Sequence, residues 1–90
     1  QRPGSRHPID KGAPGRVIRS QLHPDRYPPQ RFERSHDEVL TGLTSLAVPV
    51  HLPRGRAAAI AVLYPTQPLD PEPVVEVLIA AAERIAASMP

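Results

Sequence analysis

The chain has 90 residues and a mass of 9.8 kDa, with a formal net charge of +2, 13 Pro and no Cys or Trp. This length allows one small core and excludes two domains. The absence of Cys excludes a disulfide framework and a thiol nucleophile, and it favours a cytoplasmic protein. The longest uncharged apolar runs, 57–64 and 77–82, are far shorter than the roughly 20 residues of a membrane helix, so we expect no membrane contact.

Residues 1–38 contain eight Lys or Arg, five Asp or Glu and six prolines. Because proline lacks a backbone donor and restricts the residue before it, we predict a loop with one short helix over 4–22 and irregular chain over 23–37. The chain opens on Gln1 with no signal-peptide pattern after it, so this start resembles a fragment boundary. We therefore expect a partial domain.

The short helix is predicted to begin at Pro14 or Gly15 and to end at Leu22. Its apolar edge is expected to consist of Val17, Ile18 and Leu22. A glycine-flanked helix start directs unpaired N–H groups and partial positive charge outward, which suits an anion. An ordinary loop that enters a helix explains the same spacing, so both interpretations stay open.

A β-hairpin is predicted over 43–64, where two apolar segments flank the turn residues Pro53-Arg54-Gly55-Arg56. Alternation along the strands places large aliphatic side chains on one face and small ones on the other. The small-residue face would comprise Ser45, Ala47, Pro49, His51, Ala57, Ala59, Ala61 and Leu63. A face of small side chains leaves room either for another backbone to pack closely or for a ligand to bind. Pro49 cannot donate a ladder hydrogen bond, so we expect it at a bulge or sheet edge and not in a central strand.

A C-terminal helix is predicted over 71–89. Asp70 is a suitable N-cap, Pro71 fits the first helical position, and Glu72 complements the helix dipole. The apolar stripe of this helix recurs at spacings of three and four through Val74, Val77, Leu78, Ala81 and Ile85. It is widened by Val75, Ile79, Ala82 and Ala86. We expect it to cover the bulky face of the hairpin.

The sequence contains no arrangement of residues typical of a catalytic or metal-binding site. The four histidines are far apart and have no metal-ligand spacing. Ser45 and His51 share a predicted strand face but would be about 20 Å apart at ~3.3 Å per residue, which excludes a nucleophile and base pair. We therefore expect no enzyme activity, no metal and no cofactor. The basic residues of the first half are interspersed with acids, which favours a solvated surface over a nucleic-acid-binding arm.

Two stretches combine these elements in a distinctive order. Residues 4–18, GSRHPIDKGAPGRVI, contain a G-x-R-x-P-I run before an A-P-G-R helix start. The second stretch runs from Ser35-His36-Asp37-Glu38 through the strand LTSLAVPV to Tyr64-Pro65, and it closes with a helix that reaches Ile85. Taken in order, the two stretches resemble the effector-binding domain of bacterial transcriptional regulators of the isocitrate-lyase-regulator (IclR) type.

This resemblance implies a GAF-like α+β domain, with an antiparallel sheet, helices on one side and a small-molecule pocket on the other. It also implies homodimers or tetramers that bind a metabolite, often a carboxylate or aromatic acid. DNA would be contacted only through a winged helix-turn-helix domain that is absent from this chain.

By position, the resemblance implies a ligand site at the helix start, in the acidic loop and on the two strands. Its residues would be Ala13, Pro14, Gly15, Arg16, either Ser35 or Asp37, Leu43, Ser45, Ala61 and Leu63. The amides after Pro14 would bind a carboxylate and the Ser45 hydroxyl would form a directed hydrogen bond. Leu43 and Leu63 would form apolar walls. Relatives often have hydroxyl residues at the second-strand positions occupied here by Ala61 and Leu63. We therefore expect a more apolar effector, or a pocket that has lost its ligand.

Effector sensing by a population shift is the preferred hypothesis. One alternative is a ligand-free structural or protein-interaction module whose small-residue face packs against another backbone. Another is a basic nucleic-acid-binding fragment, which requires strongly salt-dependent DNA binding. A closed contact over Ser45 and the neighbouring alanines would favour the module. A cavity onto which Ser45 and the Gly15 amide converge would favour sensing.

Overall fold

The computed structural model describes residues 12–37 and 41–89, so the predicted loop over 4–11 lies outside the described residues. The elements, in chain order, are α1 Ala13–Leu22, β1 Glu33–His36, β2 Leu43–His51, β3 Ala57–Pro65 and α2 Glu72–Ser88. The strands form one antiparallel sheet in the order β1-β2-β3. The prediction of an α+β fold with an antiparallel sheet and flanking helices is thereby confirmed.

The main core lies between α2 and one face of the sheet. It contains the buried residues Leu46, Val48, Val50, Val75, Leu78 and Ala82. The three β2 residues alternate along the strand and therefore point to the same side, which is the bulky face predicted for the hairpin. The prediction that the C-terminal helix covers this face is confirmed.

The start of α2 is held by two kinds of polar contact. The N-cap is Pro71 and not the predicted Asp70, but the Asp70 side chain still accepts from the Glu72 amide, at 3.1 Å to Oδ1. Arg31 bridges Glu72 and Glu76, with N···O distances of 2.9 and 2.7 Å, a contact that the sequence did not predict. Neither helix of the described chain is long and apolar enough to cross a membrane.

The opposite, small-residue face of the sheet is covered by α1. Val17 of α1 packs with Ala13 and Ala47, both of which have no exposed surface, and Ala59 of β3 lies beside them. Small side chains on the sheet allow the helix backbone to approach closely. Helices therefore occupy both sides of the sheet, whereas the resemblance implied helices on one side. The buried positions of α1 also differ from the predicted apolar edge, since Leu22 is 48% exposed.

β1 makes β2 the central strand, so the prediction that Pro49 avoids a central strand is wrong, whereas the predicted sheet edge is present at Pro49 itself. The four residues of β1 fall within the segment predicted to be irregular, because their polar sequence gives no apolar alternation. The Leu43 carbonyl accepts from the Asp37 amide at 2.9 Å, which shows that odd-numbered residues of β2 turn their backbone groups toward β1. Pairing with β1 ends at Ala47, so Pro49 faces no strand there and needs no donor.

Candidate functional site

The predicted ligand site centres on Ser45, which is buried on the α1 side of β2. The amide of Ala13, the first residue of α1, donates to Ser45 Oγ at 3.3 Å. Ser35 is the register partner of Ser45, and the two Oγ atoms are 2.6 Å apart. The structure therefore brings together a helix N-terminus and two buried hydroxyl groups.

The serine pair retains one hydrogen-bond donor. Each hydroxyl has one hydrogen to donate and two lone pairs to accept. Ser35 and Ser45 share one hydrogen between them, and the Ala13 amide supplies another to Ser45 Oγ. Within residues 12–37 and 41–89 no other acceptor contacts either hydroxyl. The second hydroxyl hydrogen is thus available to a ligand oxygen.

The part of the small-residue face nearest Ser45 is only partly covered by α1. Leu63 is the register partner of Ser45 and Ala61 is that of Ala47, so both point to the α1 side of the sheet. The Leu63 side chain is 62% exposed, Ala61 is exposed, and Leu43 is half-buried. Among the described residues, these three form an apolar surface beside the serine pair.

The residues of the first turn of α1 make contacts within the fold. Pro14 and Gly15 are half-buried next to Ala13. Arg16 is engaged with β1, since its Nη2 donates to the Arg34 carbonyl at 3.0 Å and its Nε lies 3.7 Å from Glu33 Oε1. The role of these residues in ligand binding remains a prediction.

Asp37 lies at the turn between β1 and β2. It adopts φ 60°, and its Oδ1 accepts from the Gly42 amide at 2.6 Å, where Gly42 has φ 83°. Aspartate and asparagine tolerate the left-handed region better than other residues with a Cβ. The side chain is therefore used in closing a loop, and Glu38 beside it lies outside the described residues.

Replacing Asp37 by Ala is expected to destabilise the chain by about 1–2 kcal/mol, because alanine at positive φ is strained and the bond to Gly42 is lost. Asp37→Asn keeps an acceptor and tolerates this conformation, so its stability should stay close to wild type. Urea denaturation of the two variants measures the difference. Equal stability of Asp37→Ala and wild type would contradict this role for the side chain.

Two grooves of the described structure lie away from the predicted site, at the free edge of β2. The larger has a volume of about 500 Å³ and lies between Arg31, Ile79 and Ala86, while the smaller, about 260 Å³, lies toward the α1 side. Both are lined by Pro49 and His51, and neither is lined by a predicted ligand residue. Sequence reasoning missed them, although a proline within an apolar strand was the available signal. The described residues contain no group of three His, Cys, Asp or Glu able to hold a metal ion.

No protein-family model matches the sequence, and comparison with curated proteins finds no match either. Solved structures do match. An IclR transcriptional regulator from Alicyclobacillus acidocaldarius has a TM-score of 0.75 and 19% identity, over 93% of this chain and 47% of that one. Pseudomonas aeruginosa HmgR has a TM-score of 0.71 and 22% identity, over 99% of this chain and 48% of that one.

A domain structure matches over a larger share of its length. The C-terminal domain of the E. coli transcriptional regulator KdgR has a TM-score of 0.72 and 22% identity, over 93% of this chain and 72% of that domain. The chain spans about half the length of the other two matched proteins. The family resemblance seen in the sequence is thus confirmed as a likeness of fold. The described residues adopt, in part, the C-terminal domain fold of IclR-type transcriptional regulators.

Proposed function

We propose that this chain is the effector-sensing and oligomer-forming part of a bacterial, cytoplasmic transcriptional regulator of the IclR type, without catalytic activity. The observation that carries the proposal is the fold shared with three regulators at TM-scores of 0.71 to 0.75. DNA would be contacted by a winged helix-turn-helix domain outside these 90 residues.

The proposed effector is a small organic or aromatic acid. Its carboxylate would accept the available hydrogen of the Ser35–Ser45 pair, and the positive end of the α1 dipole would favour its negative charge. Its apolar body would rest on Leu63, Ala61 and Leu43, which offer no side-chain hydrogen bond. This arrangement supports a ligand with one polar end and an apolar remainder.

The proposed signal is a change in how firmly α1 is held on the sheet. The effector would contact the first turn of α1 and β3 together, so it would favour the arrangement in which both are in place. A ligand shifts a conformational equilibrium only by its difference in affinity for the two states. A ligand that contacts both α1 and β3 would bind more tightly when α1 is in place on the sheet, which supplies the difference in affinity.

The second candidate is a ligand-free interaction module, and the packing of α1 favours it. The contact between Ala13, Val17 and Ala47 already closes part of the small-residue face, with Val17 only 2% exposed. In this case the open surface at Ala61 and Leu63 would be covered by a protein and not by a metabolite.

Thermal unfolding with a panel of aliphatic and aromatic monocarboxylic acids tests the proposal, with the matching alcohols as neutral controls. A bound acid should raise the Tm by several degrees, because a ligand at 100 times its Kd stabilises by about 2.7 kcal/mol. Leu63→Ser should weaken the shift by about tenfold in ligand concentration, since one apolar side chain leaves the contact.

Leu69→Ser is the matched control, because Leu69 is an exposed leucine, 46% accessible, outside the proposed site. It should bind the same acids as the wild type. If no acid changes the Tm, or if the two variants lose binding equally, effector sensing at this site is refuted and the interaction module is favoured.

A further inference from the structure

A cluster of three side chains lies at the C-terminal end of α1. The guanidinium carbon of Arg19, in the last turn of the helix, lies 4.0 Å from the centroid of the Tyr27 ring. The guanidinium carbon of Arg26 lies 5.7 Å from the same centroid. Both distances are within the range of a cation–π contact. One aromatic ring therefore holds two positive charges close to each other.

The local backbone sets this arrangement. The His23 amide donates to the Arg19 carbonyl at 2.9 Å, and the Tyr27 amide donates to the His23 carbonyl at 2.9 Å. Pro24 lies in this turn and Pro28 follows it, and both restrict the backbone. The chain thereby turns back after α1, and Tyr27 comes to lie against the Arg19 side chain. All members of the cluster belong to this one short segment.

Neither arginine of the cluster is neutralised by an acid within the described residues. The salt bridges of residues 12–37 and 41–89 involve Arg16 and Arg31, and neither Arg19 nor Arg26 takes part in one. Asp25, the sequence neighbour of Arg26, is exposed and pairs with neither of them. Two like charges that share one ring repel each other, and an anion bound between them relieves this repulsion.

The Arg19 guanidinium also finds no acceptor among the described residues. Its Nε is buried and has no hydrogen-bond partner in that part of the chain. Its other two nitrogens have no partner there either, but they are not buried. A buried donor without an acceptor costs free energy, so native proteins rarely keep one without a reason. Stacking on Tyr27 fixes the guanidinium plane, and the two accessible nitrogens form a preorganised fork.

We propose that Arg19 and Arg26 form a binding site for a phosphate group, with Tyr27 as the support that fixes Arg19. A carboxylate presents two oxygens in one plane and matches one arginine fork, whereas a phosphate presents oxygens in several directions. A phosphate can therefore accept hydrogen bonds from two forks at once. A phosphomonoester also carries a charge of about −1.5 to −2 at pH 7, which balances the two arginines.

This phosphate site is separate from the proposed effector site. Ser45 contacts Ala13, the first residue of α1, whereas Arg19 lies in the last turn. The C-terminal end of a helix repels an anion with the equivalent of about half an elementary charge, which two full positive charges outweigh. Phosphate binding at Arg19 therefore does not depend on effector binding, and either proposal can fail without the other.

Titration of the isotope-labelled 90-residue chain with inorganic phosphate at constant ionic strength, followed by NMR, tests the proposal. The Arg19 Nε–H signal and the Tyr27 amide signal should shift together and saturate. Arg19→Lys keeps the charge but removes the fork, so it should weaken binding at least about tenfold, the effect of one charge-assisted hydrogen bond. Arg84→Gln is the matched control, because it removes an exposed positive charge from α2, and it should bind like the wild type.

Two variants of Tyr27 test the supporting role of the ring. Tyr27→Leu should weaken phosphate binding about two- to fivefold, since Arg19 loses its cation–π contact. Tyr27→Phe keeps the ring and should bind like the wild type. Leu63→Ser, which changes the effector site, should also bind phosphate normally. Circular dichroism establishes that each variant is folded.

A short DNA duplex is the second probe, and it separates the two sources of a phosphate group. DNA binding that Arg19→Lys abolishes assigns the phosphate to a nucleic-acid backbone, whereas binding of inorganic phosphate alone assigns it to a small phosphorylated ligand. Acetate should bind at least about tenfold more weakly than phosphate. The proposal is overturned if phosphate gives no saturable shift, if acetate binds equally well, or if Arg19→Lys and Arg84→Gln lose the same affinity.

Discussion

Replacing Leu46 by Ala is expected to lower the free energy of unfolding by about 2–5 kcal/mol, as for other buried leucines. Leu46 has no exposed surface, and it belongs to the cluster that joins β2 to α2. The substitution removes apolar contacts and leaves a cavity between two elements that cannot collapse freely. A chain of this size has a free energy of unfolding of only a few kcal/mol, so much of the variant population should be unfolded. Urea denaturation followed by circular dichroism measures the change.

Leu63→Ala provides the matched control for stability, because it removes the same atoms from the same sheet at a position that is 62% exposed. Its effect on the free energy of unfolding should stay within about 0.5 kcal/mol. Similar losses for the two variants would contradict the assignment of the core to the α2 side of the sheet.

Replacing Gln21 by Ala is expected to cost about 1–3 kcal/mol, the range for partly buried polar groups left without a partner. The Gln21 carboxamide bridges the two strands of the hairpin. Its Nε2 donates to the Val50 carbonyl at 3.3 Å, and its Oε1 accepts from the Ala58 amide at 2.7 Å. Denaturation and amide hydrogen exchange at Ala58 should both report the loss.

Gln67→Ala is the control for this prediction, since Gln67 is exposed and, among residues 12–37 and 41–89, its amide contacts only the Pro65 carbonyl, at 3.4 Å. It should leave stability and exchange unchanged. Gln21→Glu adds a sharper test, because a carboxylate accepts from Ala58 but has no hydrogen to donate to Val50. Its stability should fall between those of wild type and Gln21→Ala. Unchanged exchange at Ala58 in both Gln21 variants would refute the bridge.

The Gln21 bridge also bears on the proposed effector site. It fixes the last turn of α1 on the end of the hairpin, while the Ala13 amide fixes the first turn on Ser45. Together the two contacts fix α1 on the small-residue face of the sheet, beside Ala61 and Leu63. Loosening the distant bridge is therefore expected to weaken ligand binding at the other end of the helix.

Features with a local origin were predictable from the sequence. The alternation from Leu43 to His51 placed Leu46, Val48 and Val50 on one face, as observed. The predicted stripe of α2 was right for Leu78 but wrong for Val77 and Ile85, which are exposed. The contact of Asp70 with the start of α2 is also local, since its side chain bonds the amide two residues away, although the N-cap itself is Pro71. In each case the pattern that predicts the contact lies within a few positions of the chain.

The tertiary structure alone decided how these elements combine. The sequence allowed the small-residue face to accept a helix or a ligand, and the packing of α1 on Ala47 resolved part of that choice. β1 is a strand only because β2 offers it a partner, and this pairing makes β2 the central strand. Because the pairing ends at Ala47, the missing backbone N–H of Pro49 leaves no hydrogen bond unmade. The meeting of Ser35, Ser45 and the Ala13 amide depends on all three elements at once. Such contacts join residues far apart in the chain, so no local pattern of propensity or periodicity encodes them.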